Sequence, residues 1–481
     1  MADPTAQKGT WHAGPGNAPG APVADQAPDV DVVVVGAGLA GLTAADALVT
    51  AGRDVVVLEA RDRVGGRLVN HDLGDGLVAE AGGQFVGPTQ NQVLGLAAEL
   101  GVATFPTYAA GDSVYVHGGR ARRFGGDIPP DPLALPGLGL AMARMNRLAR
   151  TIPLEEPWTA RHARRWDGTT FATWLRRVTA GTGGLDLVDV FLGSAYGATA
   201  AEASLLFSLH YIAGMGDEHT PGTIDRGIAV AGGAQELRFH GGSQLLAVRL
   251  ARRLDGRVVL GAPVRAVEQD GRSVTVRSDA GAWTARHVVL AVPPVLAARV
   301  SWSPRLPPQQ EALFGRLAFG ALAKCEAVYD EPFWRADGLN GQGVFRAGST
   351  VCSMFDNSPP GDGPGVLMGF LGGRQWRAWA GRPARHRRGA VLRAFAQVAG
   401  RRALRPREYF EQDWTAEPWT LGGPTAAAAP GVLTALGPWR DRPFGRVHFA
   451  GAEHADYWNG YMDGAVRSGR DTARAVLAAA D

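Results

Sequence analysis

The chain has 481 residues, 46% of them hydrophobic and 20% charged, with a formal net charge of only +3. That length exceeds one small core and predicts two lobes. Its short basic clusters at 161–165 and 385–388 lack the aromatic interleaving or long stripe of a nucleic-acid surface. The cysteines, Cys325 and Cys352, fit neither a disulfide framework nor a zinc site, and no apolar run approaches the roughly 18 residues of a membrane span. No metal, nucleic acid or membrane is expected as a partner. A cytoplasmic location is expected, and a homodimer is left open.

Residues 1–29, rich in Ala, Pro and Gly, read as a disordered tail. The β-branched run at 31–35 reads as a buried parallel strand, followed by Gly36-Ala37-Gly38-Leu39-Ala40-Gly41 and a helix over 42–51 that stops at Gly52. A second buried strand, 54–58, ends in Glu59. From 105 to 233 the pattern reads as helical. Strands are expected at 257–260, 264–269, 273–277 and 287–292, then a mixed segment over 306–420. A last strand at 447–450 precedes a helix over 464–479. The fold class is α/β: a Rossmann-like dinucleotide domain from 30–104, 235–305 and 421–481, interleaved with a second domain from 105–234 and 306–420.

Gly36, Gly38 and Gly41 form GxGxxG between a strand and a helix. The first allows a tight turn, the second a close approach to a pyrophosphate, and the third the packing of helix on strand. Glu59, at the next strand end, is placed to accept ribose hydroxyls. This motif does not separate FAD from NAD. Ala60-Arg61-Asp62-Arg63-Val64-Gly65-Gly66-Arg67 follows, and its glycines permit close approach while Arg67 can neutralise phosphate.

From here the chain resembles the flavin amine oxidase family, most closely its monoamine oxidase branch. The likeness continues through Gly82-Gly83-Gln84-Phe85-Val86-Gly87-Pro88-Thr89-Gln90-Asn91 and Gly232-Gly233-Ala234-Gln235-Glu236. It extends over Val292-Pro293-Pro294, Lys324-Cys325, Glu331-Pro332-Phe333-Trp334-Arg335, Phe449-Ala450-Gly451-Ala452-Glu453 and Gly460-Tyr461-Met462-Asp463-Gly464. The resemblance implies an FAD enzyme that oxidises amines with molecular oxygen as acceptor. It places Gly36, Gly38, Gly41, Glu59, Arg61, Gly65, Gly66, Arg67, Gly82, Gly83, Gln84, Val264, Glu453 and Met462 at FAD, with Trp414 near the flavin. Tyr461 corresponds to one wall of an aromatic cage, and Gln235, Ile228, Phe191 and Tyr196 to the substrate cavity. Trp419 is read as packing.

Lys324 stands out in a chain whose basic residues are otherwise arginine except for Lys8. It lies in an apolar, strand-like stretch, where a compact ammonium can donate to one water or flavin nitrogen. By resemblance it assists oxygen reduction. The chain departs from the branch after Gly422-Gly423, where Pro424 stands in place of the flavin-linking cysteine and no second cage tyrosine follows. FAD is therefore expected to be non-covalent. The wall opposite Tyr461, assigned to 425–429, is expected to be small, favouring an aryl-alkyl, cyclic or secondary amine over a short diamine. An amino-acid oxidase, a flavin desaturase and a non-catalytic FAD-bound protein remain as alternatives. The first would need a cation for an α-carboxylate, which Ile228, Gln235 and Tyr461 do not offer.

Overall fold

Two sheets organise the computed structural model, which describes residues 29–132, 134–179, 184–346 and 348–480. The tail expected at 1–29 lies, apart from Asp29, outside the described residues. In the first sheet Val30–Val35 is flanked on both sides by parallel strands, Val55–Leu58 and Gly281–Leu290. A strand covered on both faces has no solvent side, hence the unbroken valine run; Val32 to Val35 are all buried. Val258–Val259 and Val447–Phe449 extend the parallel part. Val274–Ser278, Val264–Gln269 and Ser301–Ser303 complete the sheet beyond Gly281–Leu290. The helix Leu39–Thr50 packs between this sheet and the C-terminal helix Met462–Ala480.

Two boundaries differ from expectation. The helix begins at Leu39 rather than 42, because Gly36, at φ +103°, turns the chain within three residues. The strand expected at 287–292 runs from Gly281 to Leu290, since its first half pairs with Val274–Ser278 and its second with Val30–Val35.

The second sheet has seven strands, and every residue of Leu322–Tyr329 in it is buried. That strand pairs antiparallel with Gly365–Gly372 and Glu408–Asp413. Ser353–Asp356 and Leu339–Phe345 follow, then a hairpin of Asp112–His117 and Arg120–Phe124. This hairpin corrects the helical reading of 105–233. Gly118 and Gly119, both at positive φ (57° and 76°), form the two-residue turn that such a ribbon favours. Its second strand, Arg-Ala-Arg-Arg-Phe, lies at the sheet edge, where charged side chains block further pairing. The remainder of that segment is helical, with Leu135–Ala149, Phe171–Val178, Gly184–Ala195 and Leu205–Ala213 sharing one apolar core.

Backbone contacts backbone where Gly184–Ala195 crosses the sheet. A Cβ on Gly372 would lie 1.7 Å from the Gly193 carbonyl oxygen. Gly372→Ala is therefore expected to lift this helix, which carries Phe191, at a cost of about 1–3 kcal/mol of overpacking. A thermal or denaturant midpoint unchanged from wild type would refute this close packing.

Candidate active site

A cavity of about 720 Å³ runs between the two sheets, a size typical of ligand sites. Every site residue named from the sequence lines it except Gly41. Gly41 sits in the first helical turn, where a Cβ would lie 2.0 Å from the Gly36 carbonyl oxygen. It sets helix against turn and does not face the cavity.

At one end, Gly36 and Gly38 present the start of Leu39–Thr50, which no side chain caps. Nothing lies within 4 Å of where a Gly38 Cβ would stand. An uncapped helix N-terminus with open space before it suits a diphosphate. Glu59 lines the same end, though its carboxylate already accepts the N–H groups of Ala37 (2.7 Å) and Arg61 (2.9 Å). It therefore ties the first turn to the second strand besides facing a ribose site. Arg61 donates to Thr420 Oγ1 (2.8 Å) and pairs with Glu417 (3.3 Å), and its buried Nε has no partner among the described residues. Val264 and Trp419 are further along this wall, so Trp419 is more than the packing residue read from sequence. The Arg265 guanidinium lies over its ring, 5.6 Å from the centroid.

Farther in, Gly65, Gly66, Gly82 and Gly83 bring bare backbone to the wall. Arg67 makes a two-point ion pair with Glu453 (2.5 and 2.9 Å) and donates to the Pro424 carbonyl (2.7 Å). This bidentate geometry needs a guanidinium. Arg67 thus joins the loop after the second strand to the chain's last segment, where the sequence had offered it as a phosphate partner. Met462 opens the C-terminal helix at the wall. Trp414 also lines it, with its indole N–H on the Ala81 carbonyl (3.2 Å).

Lys324 projects from Leu322–Tyr329, one strand in from the edge of the second sheet, and is 1% exposed. Its ammonium donates to the carbonyls of Glu80 and Gly82 and to Gln84 Oε1, all from the segment that leaves the strand Leu77–Glu80. Burial pulls it below the usual lysine range, while the nearby Glu326 and Glu80 carboxylates oppose that shift.

The opposite end is apolar and aromatic. Tyr461, Tyr196, Phe191 and Ile228 line it with Met142, Met145 and Leu187. Gln235 donates to the Gly227 carbonyl (3.1 Å), but its buried Oε1 has no partner among the described residues. The wall beside Tyr461 departs from expectation. Gly423 and Pro424 reach the cavity, whereas Thr425 turns to Glu453 and Ala426–Ala428 pairs with Leu317–Phe319. The second aromatic comes from Tyr211, on Leu205–Ala213. Its ring centroid lies 6.1 Å from that of Tyr461 and 4.6 Å from that of Tyr196. Burial pushes both the Tyr211 and the Tyr461 phenol up. Tyr211 was missed because its helix, Leu-Leu-Phe-Ser-Leu-His-Tyr-Ile-Ala, is buried throughout and has no polar face to orient it. A tyrosine within such a run was the available signal.

The glycine cradle, the free helix end and the unpartnered Arg61 Nε fit a flavin dinucleotide, and known proteins agree with that fit. The profile of flavin containing amine oxidoreductases matches residues 39–477. A Mycobacterium tuberculosis protein provisionally named flavin-containing monoamine oxidase AofH is 42% identical over 452 residues, covering 93% of this chain and 97% of that one. Putrescine oxidase, solved with putrescine bound, superposes with a TM-score of 0.88 at 35% identity, covering 93% of this chain and 99% of its own. Cyclohexylamine oxidase from Brevibacterium oxydans superposes with the same score at 32% identity, covering 94% and 100%. With the motifs, the two-lobed α/β fold and the cavity all in agreement, the chain belongs to the flavin-containing amine oxidoreductases and oxidises amines with FAD as its cofactor.

Proposed function

We propose that this enzyme oxidises amines with apolar bulk near the nitrogen and uses molecular oxygen as acceptor, with FAD held non-covalently. The observation that carries the reading is one cavity holding a dinucleotide cradle, a fully buried lysine and a tyrosine-lined apolar end. Held by this cavity, FAD would supply the two-electron acceptor for the hydride of the amine α-carbon and the route of those electrons to oxygen, so that amine and oxygen give imine and hydrogen peroxide. Water then converts the imine to a carbonyl compound and ammonia or a smaller amine.

The protein's part is to hold and desolvate. Gly36, Gly38, Glu59, Arg61, Gly65, Gly66, Arg67, Gly82, Gly83, Gln84, Val264, Trp414, Glu453 and Met462 form the FAD wall, with Gly41 shaping the turn. The segments 30–104, 235–305 and 421–481 form the FAD domain, and 105–234 and 306–420 the substrate domain. Strand membership of the two sheets supports that division. At the substrate end, Phe191, Tyr196, Ile228, Tyr211 and Tyr461 exclude water, which favours the neutral amine over its ammonium form. The tyrosine faces carry negative quadrupoles that suit the charge building on nitrogen. The free Gln235 Oε1 is an acceptor for an amine N–H. Lys324, its three N–H groups held by protein oxygens, supplies the buried positive charge that favours oxygen reduction. An α-carboxylate would find no cation at the apolar end, which disfavours an amino-acid substrate. The thiols of Cys325 and Cys352 are free and buried, fitting the reducing cytoplasm.

Neither cysteine lines the cavity. Acid or heat precipitation should accordingly release all FAD into the supernatant, and flavin fluorescence left in the washed pellet would exclude the unlinked form.

Lys324→Met should leave anaerobic reduction of the flavin by amine largely intact. Reoxidation by oxygen should slow by one or more powers of ten, each about 1.4 kcal/mol of barrier. Stopped-flow traces with wild-type reoxidation would remove Lys324 from this role.

Specificity follows from charge. The carboxylate on the wall beyond Tyr461 is Asp127, which is exposed and engaged with the Val230 N–H (3.3 Å). No buried anion there can hold a second ammonium among the described residues. Cyclohexylamine or an aryl-alkyl amine should therefore exceed putrescine and butylamine in kcat/KM, and the reverse order would overturn the substrate class while leaving the oxidase standing.

A further inference from the structure

Behind Lys324 lies a carboxylate that the oxidation itself does not use. Glu326 is two residues farther along the same strand, on the same face, and is 0% exposed. One of its oxygens has no hydrogen-bond partner among the described residues. A buried carboxylate is retained against a large desolvation penalty and calls for a physical reason. We propose that Glu326 is a positioning residue whose buried negative charge keeps Lys324 a cation and fixes the direction of its hydrogen bonds, thereby setting the upper pH limit of oxygen reduction. This rests on the role given to Lys324 above.

The charges around the pair sort themselves. Facing Lys324 are Glu326 on its own strand, Glu80 on Leu77–Glu80 and Arg238 on Leu237–Phe239. Gln84, Asn357 and the Phe370 ring complete the surroundings and are neutral. Glu80 is claimed by Arg238, which donates to its Oε2 from both Nε (3.2 Å) and Nη2. The other Arg238 donors go to the carbonyls of Ser358 (2.8 Å) and Asn357 (3.2 Å). That leaves Lys324 and Glu326, 3.6 Å apart, as the second pair. Their separation exceeds a hydrogen bond, because the three ammonium donors are already used on Glu80, Gly82 and Gln84 oxygens. Glu326 therefore acts on Lys324 directly by charge alone.

It also acts through an amide relay. Ionised Glu326 can only accept, and it takes the Asn357 side-chain N–H (2.9 Å). The Asn357 oxygen then faces the Gln84 N–H (2.8 Å), which turns the Gln84 oxygen to Lys324. An anion at one end and a cation at the other give both amides a single orientation. Burial pulls the lysine down and pushes the carboxyl up, and each charge opposes the shift of the other. The lysine proton is lost as pH rises through its folded value. Removing Glu326 lowers that value further, so the alkaline fall in oxygen reactivity must move to lower pH.

The test follows reoxidation of the reduced holoenzyme by oxygen between about pH 6 and 10, spanning the lysine range. Glu326→Gln should move the alkaline limb down by roughly one unit or more, as expected for loss of an opposite charge within about 4–6 Å. Glu326→Asp, which keeps the charge, should retain most of the limb position. In a Lys324→Met background the limb should be absent and Glu326→Gln should change nothing. The melting temperatures give a second readout. Each single variant leaves one buried charge unpaired, so the double variant Lys324→Met/Glu326→Gln should melt above both. A limb that stays in place in Glu326→Gln overturns the inference. If that variant does not fold, a double variant no more stable than Lys324→Met overturns it instead. Wild-type reoxidation in Lys324→Met alone would sink the role of the lysine, and this inference with it, whereas a failure confined to the Glu326 variants leaves that role intact.

Discussion

A fully buried ammonium must find oxygen, and Lys324 finds its hydrogen-bond partners 240 to 244 residues away in the chain. Its strand belongs to the second sheet, while the carbonyls of Glu80 and Gly82 and the Gln84 side chain belong to the loop that leaves the hairpin Asn70–Gly74 and Leu77–Glu80. The second sheet and that hairpin are thereby fixed to one another at the cavity wall. Because an unsatisfied buried charge would cost several kcal/mol, sliding one sheet past the other is strongly disfavoured. Arg67 ties a second point of the same wall, drawing Glu453 and the Pro424 carbonyl to the Gly65-Gly66 turn. Fixed walls are what hydride transfer requires, since small misplacements of reacting atoms are expensive.

Where the wall must touch a flat, charged cofactor, side chains are removed. Gly82 is held so close to the Arg67 carbonyl that a Cβ would lie 2.2 Å from it, and Gly36 meets the Ala291 carbonyl at 2.6 Å. These glycines serve two surfaces at once. One face packs on protein backbone and the other leaves backbone open to the cavity. Substitution there would both strain the fold and fill the site.

Much of this was legible in the sequence because it is local. A strand, a glycine turn, a helix and an acid within thirty residues specify one arrangement, and the valine runs announce strands buried on both faces. The unlinked flavin was legible from a single proline. The errors were of two physical kinds. At 112–124 the arginines masked a ribbon whose Gly118-Gly119 turn was the stronger signal. Tyr211 meets Tyr461 from a distant helix, and in the Glu80, Arg238, Glu326 and Asn357 network partners lie from 31 to 158 residues apart. No periodicity can pair side chains over that distance, and the folded sheets alone bring them together. Gly41 shows the converse case, a motif position read as cofactor contact whose work is to seat the helix.

The two ends of the cavity divide the electrostatics. Ionised side chains crowd the cofactor end, where Arg61, Glu59, Arg67, Glu453 and Lys324 are paired or held by hydrogen bonds. The amine end presents rings and aliphatic groups with the exposed Asp127 at its rim, and Gln235 Oε1 is a buried acceptor without a partner among the described residues. An amine entering from water as a cation meets no buried anion there to compensate its charge, so loss of the proton is favoured on binding. The neutral nitrogen lone pair is what must assist departure of the hydride from the adjacent carbon. The same absence of charge bears on selection: a second ammonium would be stranded, while an apolar substituent would replace water against Tyr196, Phe191 and Ile228 at about 25 cal/mol per Å² buried. Activation of the amine and the proposed preference for apolar bulk are thus two consequences of one wall with no buried anion among the described residues, and Tyr211, supplied from a buried helix, keeps that wall aromatic although the chain after Pro424 has turned away from it.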